Sequence, residues 1–83
     1  MDPSTIGENI QRYLEEAFPN PGVVLALETN LLDEYFLDSI AVIDVVDYIE
    51  RTFGIEVRRA DINGTVFENI RALSSFVARR MST

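Results

Sequence analysis

Apolar residues fall into three stretches that repeat at the spacing of an amphipathic helix. The first holds Ile6, Ile10, Tyr13, Leu14 and Ala17, which share one face at about 100° per residue. Thr5, with Glu8 three places on, has the form of a capping box. Helix one is therefore predicted from about Thr5 to Ala17, ended by Pro19 and the Asn20-Pro21-Gly22 turn, because proline cannot continue the hydrogen-bond ladder and glycine relaxes the backbone. The second stretch runs unbroken from Ser39 to Phe53. Asp38 and Ser39 offer N-cap side chains, Gly54 is placed to close the helix, and Val42, Val45, Val46, Ile49 and Phe53 form its core stripe. The third opens on a second capping box, Thr65-Val66-Phe67-Glu68, with Val66, Phe67, Ile70, Leu73 and Val77 on its apolar side. It is expected to end near Arg80, where Arg79 and Arg80 complement the negative end of the helix dipole.

The segments between these helices are less periodic. Val23-Val24-Leu25-Ala26-Leu27 has strand propensity, but no second run of similar quality exists to pair with it. The stretch from Val23 to Asp38 is accordingly predicted as a long, partly buried loop, a length that usually signals function. After Gly54 there is room for one short helical turn near Ala60, followed by a turn at Asn63-Gly64. The expected fold is an all-α bundle of three main helices in a single domain spanning residues 1–83.

Composition narrows the function. At 83 residues with no cysteine, the chain can build one modest core and no disulfide or thiolate metal site. Fourteen acidic residues against seven basic ones, all of them Arg, give a formal charge of −7. Such a surface repels phosphate backbones and anionic headgroups, so neither nucleic acid nor membrane is an expected partner, whereas basic protein surfaces are. Nothing approaches the length of a membrane span, and Met1-Asp2-Pro3-Ser4 lacks the basic start and apolar run of a signal peptide. A cytoplasmic address and a monomer are the expectation. In that compartment Asn63-Gly64-Thr65 is a turn and cap, not a glycosylation site.

With neither His, Cys nor Lys in the chain, the usual general bases and triads are missing, and an enzyme is not expected. A calcium loop is excluded from Asp33 to Asp38, where Tyr35 and Leu37 occupy positions that need oxygen ligands. No metal is expected. Helix two is the informative element. Asp44, Asp47, Glu50 and Arg51 fall opposite its core stripe, yet Ile40 and Ile43 project into the same sector. Two large aliphatics ringed by carboxylates suit a partner with an apolar groove rimmed by Arg or Lys.

From Leu31 to Val77 the chain resembles acyl and peptidyl carrier proteins. Leu37-Asp38-Ser39-Ile40 is similar to their Asp-Ser-Leu attachment motif at the start of a helix after a long loop. Ile49-Glu50-Arg51-Thr52-Phe53-Gly54-Ile55-Glu56-Val57 resembles the stretch closing the family's second helix, and Phe67, Ile70, Leu73 and Val77 fit its last helix. The resemblance implies a free-standing carrier with 4'-phosphopantetheine esterified to Ser39, Asp38 being the neighbouring acid of the motif. The arm's thiol would hold the cargo as a thioester. Implied partners are a phosphopantetheinyl transferase, an acyl- or aminoacyl-loading ligase and a downstream transferase or synthase, docking at Ile40, Ile43, Asp44, Asp47 and Glu50. Arg58 departs from the family where many members have proline, and Asp47 where fatty-acid carriers often have an apolar residue. The segment Leu31 to Ser39 looks nearer to D-alanyl and peptidyl carriers, because Tyr35 and Phe36 fill space where fatty-acid carriers commonly place glycine. Rings there could cover the interior route of a long acyl chain, so an amino acid or specialised acyl group is the expected cargo. The alternative from another class is an acidic helical adaptor that binds a basic protein and is never modified.

Overall fold

The computed structural model describes residues 2–82. Its elements are α1 (Pro3–Ala17), α2 (Ser39–Phe53), a short 3-10 turn at Arg59–Asp61 and α3 (Ile70–Met81), with no strand among the described residues. The all-α bundle of three main helices is the architecture expected from the apolar pattern, and the 3-10 turn contains Ala60.

Each helix buries one stripe. Ile6, Ile10 and Leu14 of α1, Ala41, Val45, Ile49 and Phe53 of α2, and Ile70, Leu73, Phe76 and Val77 of α3 meet in one core. The i, i+4 run in α2 shifts its stripe towards Ala41 and leaves Val42 and Val46 half-buried. Val42 thereby becomes available to line a groove. Tyr13 of α1 stacks on Tyr48 of α2 with ring centroids 4.0 Å apart, and the Tyr48 hydroxyl donates to the Asn9 carbonyl at 3.1 Å.

Two helix starts differ from expectation. Asp2, not Thr5, caps α1, accepting the Thr5 N–H at 3.0 Å. The helix consequently begins two residues earlier. Thr65-Val66-Phe67-Glu68 does not open α3. Asn63 Oδ1 accepts from both Thr65 and Val66 N–H at 2.9 Å, which folds this segment into a side-chain-closed turn. Asn69 is the cap of α3, accepting the Ala72 N–H at 2.8 Å. Arg80 also does more than complement a dipole. Its guanidinium donates to the Glu56 carbonyl at 2.9 Å and pairs with Asp61 at 3.2 Å, while stacking over Phe76. The end of α3 is thus tied to the segment that carries the 3-10 turn.

The connection from α1 to α2 is irregular but ordered by its own apolar residues. Leu25, Leu31, Tyr35 and Leu37 are buried, and their backbone is anchored on both sides. Gln11 Nε2 donates to the Leu25 carbonyl at 2.6 Å, and Leu31 N–H donates to the Glu68 carbonyl at 2.8 Å. The Tyr35 hydroxyl donates to the Phe18 carbonyl at 2.6 Å. These ties deliver the chain to Asp38 in a fixed position.

Candidate functional site

The start of α2 is set by Asp38. Its backbone is extended, and its Oδ1 accepts the Ala41 N–H at 2.8 Å. The Asp38 carbonyl accepts the Val42 N–H at 2.9 Å, the first bond of the helix. Gly54 closes the other end in the left-handed conformation, φ 67°, donating its N–H to the Glu50 carbonyl, a geometry glycine adopts without steric cost.

Ser39 is the first residue of the helix and is exposed. Because Asp38 performs the capping, the Ser39 hydroxyl is left uncommitted at the positive end of the helix dipole. The first-turn N–H groups there tolerate a phosphodiester well. Beside Ser39 lies an open groove of about 590 Å³ between α2 and the turn preceding α3. Leu32, Leu37, Val42, Ile43, Ile62 and Phe67 are its apolar lining residues. Sequence periodicity did not reveal this groove, since Ile62 and Gly64 lie in a segment with no repeat. Ile62, Asn63 and Gly64 line its far side, directly after Asp61, which pairs with Arg80.

The expected docking residues separate into two groups. Ile40 and Ile43 are 73% and 64% exposed, so neither packs beneath the loop. Asp44 is exposed, and Asp47 is exposed and paired with Arg51 at 3.1 Å, one turn on. Glu50 behaves differently. It is half-buried and its Oε2 accepts the Val57 N–H at 2.9 Å, securing the chain after the helix. The two rings expected to cover an interior route lie apart from each other. Tyr35 is buried against α1, Phe36 is 71% exposed, and neither lines the groove beside Ser39. Asp47 does not line it either.

Ionisable groups near these elements are perturbed, among them Asp61 and Tyr13. The Arg58 N–H, aided by the Arg80 guanidinium, holds the Asp61 carboxyl below its ordinary value against the opposing effect of burial. Burial pushes the Tyr13 hydroxyl up, with Asp44 and Asp47 adding to the effect.

The described residues thus form a three-helix bundle with an exposed serine at a helix start after a long ordered loop. The family described as phosphopantetheine attachment site matches residues 8–77, and the chain belongs to it. Comparison with curated proteins gives no match. The family's prosthetic group is 4'-phosphopantetheine on a serine, and its members are carriers, not enzymes. They work with modifying transferases and synthetic enzymes. Family membership supports the phosphopantetheine-bearing carrier role. Among the described residues no helix is long and apolar enough to cross a membrane.

Proposed function

We propose that Ser39 is the attachment residue, and that the chain presents an acyl or aminoacyl group to successive enzymes. The observation that carries this proposal is the division of labour at the start of α2. Asp38 supplies the cap, which leaves the Ser39 hydroxyl exposed and free to be esterified. When bound, 4'-phosphopantetheine supplies a terminal thiol on which the group is held as a thioester. The protein supplies placement. Asp38 fixes the first turn, the N–H groups of that turn favour the phosphate, and the open groove beginning at Ser39 offers an apolar surface to whatever is attached.

Partner enzymes dock on the exposed start of α2. Ile40 and Ile43 provide apolar contact, and Asp44 and Asp47 steer a basic rim on the partner. Glu50 contributes mainly to the fold through Val57. As for cargo, the features read as barriers to an acyl chain stand away from the groove, and its apolar lining favours a group with a hydrocarbon segment over a compact charged amino acid. Peptide mapping after reaction with coenzyme A and a phosphopantetheinyl transferase tests the attachment point. The added mass is expected on the fragment carrying Ser39. Mass on a fragment bearing another serine would refute the assignment.

A further inference from the structure

Phe36 is the one non-glycine residue with a left-handed backbone among the described residues, at φ 62°. For a bulky side chain this region is sterically disfavoured. The neighbours explain the backbone but not the side chain. Tyr35 is buried, with its hydroxyl bonded to Phe18, and Leu37 is buried, with its N–H donated to the Leu31 carbonyl at 2.9 Å. Both neighbours face inward and fix the chain at this point, and the residue between them faces outward with a left-handed backbone. Glycine or asparagine would meet that demand at less cost. Phenylalanine instead exposes a large ring three residues before Ser39, where it forms part of a shallow hollow with Phe18, Pro19, Asn20 and Ile40. At 71% exposure the ring leaves most of its apolar surface in water.

We infer that the Phe36 ring is an anchor for the phosphopantetheinyl transferase, inserting into an apolar pocket of that enzyme, and this inference rests on the carrier role proposed above. Enzymes acting at the thiol reach it at the far end of the arm. The transferase must bring its active centre to the Ser39 hydroxyl itself. There Oγ forms a P–O bond to the phosphopantetheinyl phosphorus of coenzyme A, adenosine 3',5'-bisphosphate departs and the hydroxyl proton is lost. Residues flanking Ser39 consequently lie inside its footprint. The chemistry of the surroundings fits a basic-rimmed pocket. Asp33, Glu34, Asp38 and Asp44 are exposed on either side of Phe36 and Ile40, in a chain of net charge −7. Aromatic residues, phenylalanine included, are enriched at the cores of protein interfaces, inside a polar rim.

The test is steady-state transfer from coenzyme A to wild type, Phe36→Gly and Phe36→Tyr, with melting temperatures measured in parallel. Phe36→Gly is expected to melt at or above the wild-type temperature, because the strain is relieved, and to lose on the order of ten-fold in kcat/KM, chiefly through KM. Phe36→Tyr keeps the ring and should restore most of the loss. Wild-type kinetics for a folded Phe36→Gly would overturn the anchor while leaving the carrier role intact. Failure of wild type itself to accept the group would overturn both.

Discussion

The Tyr35 hydroxyl donates to the Phe18 carbonyl at 2.6 Å, joining the last turn of the long connection to the end of α1 four residues before Ser39. The same hydroxyl lies 3.4 Å from the Leu14 carbonyl, a longer second contact. Tyr35→Phe keeps the buried ring but leaves the acceptor without its donor. A loss of about 1 kcal/mol is expected, within the range for a single internal hydrogen bond. Urea unfolding checks it, with an unchanged m-value indicating that the native and denatured states are otherwise alike.

Asp38 and Ser39 should be separable by stability. Asp38→Ala removes the acceptor of the Ala41 N–H and is expected to cost about 0.5 to 2 kcal/mol. Ser39→Ala removes a hydroxyl that caps nothing, so its melting temperature should match wild type. A larger loss at Ser39 than at Asp38 would reverse the division of labour described at this helix start.

Ile43 is exposed, so Ile43→Asp should fold while slowing modification by the transferase. Reversing Asp44 and Asp47 to Lys should lower the association rate most at low salt, because exposed charges are screened as ionic strength rises. By contrast Glu50→Gln is expected to perturb stability through Val57 more than association. Circular dichroism melts alongside stopped-flow association rates distinguish these effects.

Acid should weaken the segment behind the groove. The Asp61 carboxyl titrates below its ordinary value in the folded chain, so it releases its proton more readily there than in the unfolded chain. Its contribution is complete above the unfolded carboxylate value and is lost as pH falls through the lower folded one. The stability difference between wild type and Asp61→Asn is accordingly expected near neutrality and should shrink below about pH 4. A difference that grows on acidification would contradict this sign.

Much of this arrangement was legible in the residues themselves. The limits of α2 follow from Asp38, an unbroken apolar period and Gly54, and the exposure of Ile40 and Ile43 follows from helix phase alone. The starts of α1 and α3 did not follow, because two cap-forming residues competed in each place. Asp2 precedes Pro3, a pairing suited to a helix start, and its reach to Thr5 decides the matter. At α3, Asn63 captures the Thr65 N–H that the Glu68 side chain would have accepted in a Thr65 box, and Asn69 takes over. The groove and the left-handed Phe36 arise from where the loop's buried residues are drawn. No local period encodes that.

The attachment of 4'-phosphopantetheine to Ser39 is tested most directly by intact-mass spectrometry of wild type and Ser39→Ala after incubation with coenzyme A and a phosphopantetheinyl transferase. Wild type should gain the mass of one phosphopantetheine group and the folded Ser39→Ala protein none. Equal modification of the two proteins, or a wild-type mass unchanged with a transferase that modifies a control carrier, would contradict the assignment of this serine.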